Sequence, residues 1–301
     1  MLGYAAMNRT LREHDPPRRC NRDMQKATWE TKGIEYAAEL TAQNMEDLRT
    51  ILRWNQDHGI GFYRCSSALV PWNSQFELPE LPNYEHIREV ARECGEIIRD
   101  SGMRFSFHPD FWCKLASESA STVERSVESV RHHGRWLDLL GLDRSPRYPI
   151  NVHIGAHYGD KAATADRFCD VIRDLPPRAR DRLVVENDDA ESLWSVPELV
   201  ENVSARVGTP VTFDYHHHSF ADRGYTYREA FTMAADTWGD QRPIVHYSEP
   251  ARLHGDHDAN PPDHADTVAA VPAWLRAQAD VMIESHGKEA SVLQFEPRKH
   301  E

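Results

Sequence analysis

Six short apolar runs in the sequence end on a side chain that can bind a metal ion or transfer a proton. In chain order these side chains are His108, His153, Glu186, Asp214, His246 and Glu284. One histidine at a strand end is more often structural than a ligand, but a single metal centre explains all of these ends at once. Histidine and carboxylate ligands without thiolates suit Zn²⁺ or Mn²⁺. The pattern therefore predicts a centre with two or three divalent ions.

The stretch VTFDYHHHSF, residues 211–220, adds three histidines to one of these ends. Asp214 closes the β-type run and His217 follows three residues later, so a returning loop would bring both side chains over one face. We expect Asp214 and His217 to bind metal together. His216 and His218 are weaker candidates: one is expected to line the site and the other to be exposed.

Several metal ions held a few ångströms apart are typical of enzymes that hydrolyse phosphodiesters. Such ions lower the pKa of a water molecule, hold the phosphate and stabilise the attacking and leaving oxygens. Sugar isomerases on an α/β barrel also use two metal ions with His, Asp and Glu ligands. The ligand types alone therefore leave a nuclease and a sugar isomerase open.

The elements that would position these ligands are short β-type runs that alternate with helix-like stretches. The runs lie at 2–4, 60–65, 104–108, 149–154, 182–186, 211–214, 244–247 and 281–284. Such alternation indicates parallel strands joined by helices. Eight units in 301 residues fit an α/β fold of the (β/α)8 TIM barrel type, with a single domain over residues 1–301. A doubly wound sheet would show a glycine-rich first turn, which this chain lacks.

Helix signals fill the connections between the runs. Apolar residues recur at helical spacing over residues 87–98. Two capping-box patterns predict helix starts at Ser121 and Thr226. Residues 9–40 are expected to form a polar excursion before the first helix, and residues 290–301 a C-terminal tail. In a barrel the carboxyl ends of the strands meet on one face, where active sites form.

The composition limits the class of protein. Lys and Arg total 35 against 48 Asp and Glu, a net charge of −13, which is poor evidence for a nucleic-acid binder unless local cations or metal ions offset it. The one locally basic stretch includes Arg18 and Arg19, which are candidate phosphate contacts. The five cysteines form no CxxC pair and are expected to be reduced and mostly buried. No membrane-length apolar run and no secretory signal pattern occur, so we expect a cytoplasmic protein with no membrane partner.

Longer motifs along most of the chain resemble those of the ultraviolet-damage endonuclease family, relatives of endonuclease IV on the same barrel. The motifs are LGYAAMNRTLR (2–12), ILRWNQDHGIGFYRCSSALVPW (51–72), RFSFHP (104–109), NVHIGAHYGDK (151–161), VVENDD (184–189), FDYHHHSF (213–220), VHYSEP (245–250) and DVMIESHGKE (280–289). The resemblance implies an enzyme that nicks DNA immediately 5′ to ultraviolet photoproducts and some other lesions, with abasic sites as candidates. It also implies a metal cluster that often contains manganese.

The resemblance also assigns roles to individual residues. The metal ligands that it implies are His108, His153, Glu186, Asp214, His217, His246, His264 and Glu284, of which His264 comes from the resemblance alone. We expect catalytic roles for Glu186, His246 and Lys161, with His157 and Lys288 near the phosphates around the cut. The expected cofactors are two or three divalent ions, Mn²⁺ first and Zn²⁺ as the alternative.

At two positions near the implied metal ligands, this chain differs from the family pattern. The family commonly has a histidine after strand two, where this chain offers only Gln75, which puts one metal position in doubt. Ile244 stands where some members have a lysine that carries a modification near the metals. No modified lysine is therefore expected there.

Four further residues are candidate DNA contacts. Phe111 and Trp112 stand where some members have a Gln-Tyr pair that probes the lesion, and aromatic rings there could stack into the duplex. Tyr4 and Asn8 match positions that help to accommodate displaced nucleotides in the family, although Tyr4 could equally line the barrel. The leading hypothesis is thus a monomeric DNA repair endonuclease acting on damaged double-stranded DNA. A sugar isomerase or epimerase and a damage-binding protein without catalytic activity are the alternatives.

Overall fold

The computed structural model describes residues 1–295, which form a closed barrel of eight parallel strands in sequence order, with the last pairing to the first. The strands are β1 (Leu2–Ala5), β2 (Phe62–Cys65), β3 (Arg104–Phe107), β4 (Ile150–Val152), β5 (Leu183–Glu186), β6 (Val211–Asp214), β7 (Ile244–Tyr247) and β8 (Asp280–Ile283). The predicted (β/α)8 barrel is confirmed.

Helices or helical turns connect the strands. They are α1 (Arg9–Arg12), α2 (Lys26–Asp57), α3 (Tyr84–Asp100), α4 (Ala120–Leu139), α5 (Lys161–Asp174), α6 (Pro177–Arg180), α7 (Val196–Leu199), α8 (Ala205–Val207), α9 (Tyr215–His218), α10 (Tyr227–Asp236), α11 (Ala273–Gln278) and α12 (Glu289–Leu293). Over residues 1–295, no helix is long and apolar enough to cross a membrane. All five cysteines are buried and free, as expected.

The predicted polar excursion over residues 9–40 is wrong for most of its length. Residues 9–12 form α1, and α2 begins at Lys26. The first turns of α2 carry mostly polar, exposed side chains, so the apolar stripe that marks a helix appears only where Ala37 and Ala38 become buried. Only residues 13–25 connect the two helices without helical structure.

One of the two predicted helix starts is correct. Thr226 caps α10 with the expected reciprocal bonds to Glu229. The start predicted at Ser121 is wrong, because Ser119 is the N-cap and α4 already begins at Ala120. The predicted C-terminal tail is helical over α12, and residues 296–301 lie outside the described residues.

The two ends of the barrel differ in chemistry. At the amino-terminal end, Asp280 accepts hydrogen bonds from the Met1 amine at 2.8 Å, from Arg104 at 3.0 Å and from Arg242 at 3.1 Å. Burial lowers the pKa of Arg104 to about 10, although Asp280 opposes the shift. This ionic network ties the starts of β3, β7 and β8 to the chain terminus. The carboxyl-terminal end is left to carry the candidate site.

Candidate metal centre

The strand ends bring the six sequence-predicted side chains to one face of the barrel. Glu186 and Asp214 are the last residues of β5 and β6, and His246 lies within β7. The other three, His108, His153 and Glu284, directly follow β3, β4 and β8. Because neighbouring parallel strands end at the same height, these side chains converge although they are far apart in sequence.

Glu186 lies between two groups of ligands. Its Oε1 is 3.0 Å from Nδ1 of His246 and 3.6 Å from Nδ1 of His217. Its Oε2 is 3.4 Å from Nε2 of His108 and 3.5 Å from Nε2 of His153. Ligand atoms of His108, His153 and Glu186 lie within 4.8 Å of one another, and so do those of Glu186, Asp214 and His246. One carboxylate therefore belongs to both triads of candidate ligand atoms.

The donor set fits divalent cations. Asp214 Oδ2 is buried without a hydrogen-bond partner in the described part of the chain. Burying an unpaired polar group costs roughly 1–3 kcal/mol, so a carboxylate oxygen left in this way among other candidate ligands fits a site that binds a cation. The other Asp214 oxygen, Oδ1, accepts the backbone N–H of His217 at 2.7 Å, which leaves Oδ2 for the cluster.

The protonation of the cluster follows from burial and mutual charge. Burial would raise the pKa of Glu186, but the charges of His246 and His153 outweigh it and hold that pKa well below its usual range. Burial lowers the pKa of His108. For His153 burial is outweighed by Glu186 and Asp188, which raise its pKa to about 9. The carboxylate that bridges the triads is therefore ionised, whereas His153 must lose a proton before it can bind metal.

The histidines of the YHHH turn have separate environments. His217 lies on α9, and its Nδ1 is 3.0 Å from the Asn187 carbonyl oxygen. The His216 ring is buried and lies edge-on to the ring of the candidate ligand His264, with ring centroids 5.7 Å apart. His218 is buried, with Nε2 3.0 Å from the Tyr225 carbonyl oxygen. The prediction that one of these histidines is exposed is wrong, because α9 folds against β6 and turns His218 inward.

His264 is held beside the cluster by a backbone bridge and by its ring. It forms an isolated antiparallel bridge with Pro250, and its Nδ1 is 2.6 Å from the Glu284 carbonyl oxygen. Its ring centroid is 6.3 Å from that of His217. The structure thus brings His264 to the rim of the centre, next to two other predicted ligands.

The segment around β2 supplies a positive charge to the centre. The histidine that the family commonly has after this strand is replaced by Gln75. Gln75 is exposed and lies on a 3-10 turn at Asn73–Gln75. Arg64, from β2 itself, forms an ion pair with Glu284. Its charge offsets the effect of burial and holds the pKa of Glu284 low. The sequence reasoning missed Arg64, although it is the one charged residue in the otherwise uncharged strand FYRC.

Two further polar residues orient the ligands. Asp188 lies 3.1 Å from His153 Nδ1 and accepts the Trp194 backbone N–H at 3.3 Å. Asn151, from β4, donates to Oε2 of Glu186. Neither was singled out from the sequence, although Asp188 belongs to the VVENDD motif. Ile244 is buried beside Val184 and Met282.

The candidate DNA contacts fall into two groups. Phe111 is 88% exposed and Trp112 is 43% exposed on the loop after β3, so neither ring is buried in the core. Tyr4 and Asn8 are buried, and the Asn8 amide donates to the Tyr4 hydroxyl at 3.0 Å. Their burial favours the packing interpretation over contact with displaced nucleotides.

Two of the basic side chains that were predicted to act on DNA bind to other groups of the protein instead. Lys161 donates to Glu198 at 2.7 Å and to the Leu193 carbonyl at 2.6 Å, so the structure gives its predicted catalytic role no support. Arg18 pairs with Asp47 at 3.2 Å, whereas the Arg19 side chain is exposed.

The two remaining candidates are half-buried. His157 accepts the Gly159 backbone N–H at 3.0 Å. Lys288 lies near Arg64, and burial together with that charge lowers its pKa.

Comparison with known proteins adds a family assignment to this geometry. The family model described as UV-endonuclease UvdE matches residues 1–298. A putative UV-damage endonuclease of Acanthamoeba polyphaga mimivirus is 28% identical over 300 residues, covering 98% of this chain and 89% of that protein. The UV-damage endonuclease of Neurospora crassa is 29% identical over 342 residues, covering 98% of this chain but 50% of that protein.

Solved structures of other proteins have the same fold. The crystal structure of SacUVDE superimposes with a TM-score of 0.82 at 27% identity, covering 97% of this chain and 95% of that one. Endonuclease IV from Thermus thermophilus shares the fold at 16% identity and a TM-score of 0.55, over 81% of this chain and 90% of that one. A D-psicose 3-epimerase from Clostridium cellulolyticum shares it at 12% identity and a TM-score of 0.53, over 79% and 78%. The latter two similarities concern the fold alone.

Proposed function

The chain belongs to the UV-endonuclease UvdE family, which supports a role as a DNA repair endonuclease, and we propose that it is a metal-dependent enzyme that nicks the backbone immediately 5′ to ultraviolet photoproducts. The observation that carries this proposal is the shared carboxylate of Glu186, which lies between two triads of ligand atoms. We further propose that abasic sites are substrates and that the protein acts as a monomer in the cytoplasm, at the nucleoid when on DNA.

The residues that would hold metal follow from the two triads. His108, His153 and Glu186 would bind one ion, and Glu186, Asp214 and His246 a second. His217, His264 and Glu284 are the candidates for completing these positions or for a third ion. Mn²⁺ is the first candidate and Zn²⁺ the second, because the ligands combine imidazoles with carboxylates and no thiolate. Bound there, divalent ions would lower the pKa of a water molecule and stabilise negative charge on the phosphate.

The protein's own side chains would position the substrate around this centre. Arg64 would hold Glu284 in place and reduce the repulsion that the carboxylates exert on a phosphate. Phe111 and Trp112 would stack on bases at the lesion, since they project from the loop that follows a ligand-bearing strand. The cluster would therefore cut where the loop after β3 has opened the duplex.

The test is cleavage of an end-labelled duplex that carries one thymine dimer, with Mn²⁺ and without ATP. We expect a single nick immediately 5′ to the dimer. Glu186→Gln should lower the cleavage rate by more than about 100-fold. Changing a residue that only supports a metal ligand typically costs about 10- to 100-fold, and Glu186 is a candidate ligand itself. Glu191→Gln, on the loop after the same strand, removes an exposed carboxylate and is the matched control.

Two results would contradict the proposal. Wild-type protein that binds the lesion duplex but does not nick it with Mn²⁺, Zn²⁺ or Mg²⁺ would indicate a damage-binding protein. A Glu186→Gln variant that cleaves at the wild-type rate would show that the centre is not the site of cleavage. The sugar epimerases share only the fold, and no observation on the described residues favours a sugar substrate.

A further inference from the structure

A lysine outside all the motifs considered above lies beside the metal centre. We infer that Lys114 binds a backbone phosphate of the DNA, either the cleaved phosphate or its neighbour, and that Gly155 provides the space for its ammonium group. This inference rests on the proposed function, because it assigns the substrate contact of the same site.

The location of Lys114 carries the first part of the argument. Its side chain lines a cavity of about 280 Å³ together with His108, His153 and His217, three of the candidate ligands. Phe111, the exposed ring expected to meet the duplex, lines the same cavity. A phosphate that reached these three imidazoles would therefore come close to the lysine as well.

The backbone around Lys114 is fixed. Its N–H donates to Ser126 Oγ at 2.8 Å, and that hydroxyl donates in turn to the Thr122 carbonyl oxygen on α4 at 2.7 Å. The lysine is thus anchored to α4, one residue after the buried Cys113. A fixed backbone spares the loop the conformational entropy that it would otherwise lose when a ligand binds.

The ammonium group keeps binding capacity. Nζ donates one hydrogen bond, to the Gly155 carbonyl oxygen at 3.1 Å. An ammonium has three N–H donors, so two of them are available to an anion. None of the ion pairs found across residues 1–295 involves Lys114. By contrast, two other cations considered for the site form ion pairs within the protein. Arg64 is paired with Glu284, and Lys161 is paired with Glu198.

Gly155 makes this arrangement possible. A Cβ atom at residue 155 would lie 2.1 Å from the Lys114 Nζ, and φ of Gly155 is +63°. Any other residue would therefore have to displace the ammonium group and would also adopt a strained backbone conformation. Gly155 lines the same cavity as His153 and Lys114, so the space that it leaves is part of that cavity.

Charge explains why a cation is needed at this place. The protein has a net charge of −13, and the cavity also contains Asp110, Asp188 and Asp189. Asp188 is occupied by His153, but the other two carboxylates repel a phosphodiester. Lys114 is the residue in the cavity lining whose fixed positive charge can offset them.

The experiment compares Lys114→Met, Lys114→Arg and Gly155→Ala with wild type on a thymine-dimer duplex, measuring kcat/KM and the salt dependence of binding. Arg180→Met is the matched control, since Arg180 is an exposed cation that precedes β5 and so lies at the opposite end of the barrel. Bound metal is measured in every variant, which separates a phosphate contact from damage to the metal centre.

We expect Lys114→Met to lower kcat/KM roughly 10- to 150-fold, the range for loss of a hydrogen bond to a charged group. The slope of log K against log salt should become less steep by about 0.9, which corresponds to one phosphate contact. Lys114→Arg should recover most of the loss, and Gly155→Ala should reproduce part of it. Metal content should not change, and Arg180→Met should behave like wild type.

A second measurement identifies the phosphate. Duplexes that carry one neutral methylphosphonate at successive positions around the nick are cleaved by wild type and by Lys114→Met. A methylphosphonate at the contacted position should lower cleavage by wild type relative to the unmodified duplex. The same substitution should lower cleavage by Lys114→Met very little, because that variant has already lost the contact. Equal losses for both proteins at every position, or an unchanged salt slope, would overturn the inference. Wild-type protein that binds but does not nick would refute the proposed function, while the salt slope would still decide the role of Lys114.

Discussion

At the scale of single residues, the centre depends on how each imidazole is held. Asp188 lies 3.1 Å from Nδ1 of His153, so the opposite nitrogen, Nε2, is turned towards Glu186. Residues behind a ligand fix its ring orientation and raise its basicity. The same logic applies to Asn151, which donates to Glu186.

The first prediction concerns Asp188. Asp188→Asn should weaken metal binding about 10- to 100-fold, the usual cost of removing a partner of a ligating histidine. Isothermal titration with Mn²⁺ measures the affinity, and excess Mn²⁺ should restore most of the nicking. Asp181→Asn is the control, because Asp181 precedes β5 whereas Asp188 follows it. Unaltered affinity in Asp188→Asn would mean that the contact does not support the ligand.

The second prediction is a dependence of metal affinity on pH. The pKa of His153 is raised to about 9 because Glu186 and Asp188 outweigh burial. Below that pH an incoming ion must displace the His153 proton, so affinity should rise with pH, by about tenfold per pH unit for one proton. Mn²⁺ titrations from pH 6 to 8 would measure the slope. A constant dissociation constant across this range would contradict a protonated His153.

The third prediction concerns the exposed rings after β3. Phe111→Ala and Trp112→Ala should each reduce kcat/KM on a thymine-dimer duplex by roughly 5- to 150-fold, because stacking on a base contributes about 1–3 kcal/mol. The loss should be smaller on an abasic duplex, where less unstacking is needed. Metal content should stay at the wild-type level. Equal losses on both substrates would indicate support of the site rather than probing of DNA.

At the scale of elements, short turns after the strands do most of the positioning. Asp214 ends β6 and caps α9, and that cap places His217 one turn later. The approach of neighbouring strands matters as well. A Cβ atom on Gly3 of β1 would lie 2.0 Å from the Phe62 carbonyl oxygen of β2. Glycine is therefore required for these two strands to pair.

The fourth prediction tests this approach. Gly3→Ala should lower the free energy of unfolding by about 1–3 kcal/mol or more, because overpacking against backbone cannot be relieved by a side-chain rotation. Urea unfolding at fixed Mn²⁺ concentration measures the change. Gly59→Ala is the comparison, since its Cβ would meet nothing within 4 Å and only its φ of +72° opposes the substitution. An equal effect of both changes would exclude strand contact as the cause.

At the scale of the whole molecule, the acidic charge of the protein would be coupled to the binding of metal ions in the candidate centre. The chain carries 48 acidic against 35 basic residues, and several of the acids converge at the mouth of the barrel. Ions in the centre would remove part of the repulsion that the folded state and a bound duplex both experience. Stability and DNA binding should therefore respond together to metal.

The fifth prediction follows from this coupling. Removal of metal with a chelator should lower the free energy of unfolding by about 2.7 kcal/mol relative to protein held at 100 times the metal dissociation constant. It should also weaken binding to undamaged and damaged duplex alike. Calorimetry and fluorescence anisotropy, with and without added Mn²⁺, measure the two effects. A melting temperature indifferent to both chelator and Mn²⁺ would argue against a metal centre in this fold.

The alternation of short apolar runs with helical stretches was enough to predict the barrel and six side chains at its mouth. Six of the eight strands are short apolar runs with a ligand-type residue at or beside their carboxyl end. The order of His108, His153, Glu186, Asp214, His246 and Glu284 could therefore be predicted without knowing any contact. That reading works because parallel strands impose one direction, and their ends must then share a face.

Which other residues reach that face depends on how distant segments pack in the folded chain. Arg64, Lys114 and Asp188 join the centre through packing between segments that are distant in sequence, and no periodicity marks them. The same packing turns His218 inward and pairs Lys161 with Glu198. A spacing rule fixes where a strand ends, but the direction of a loop side chain depends on the neighbours that it meets after the barrel has closed.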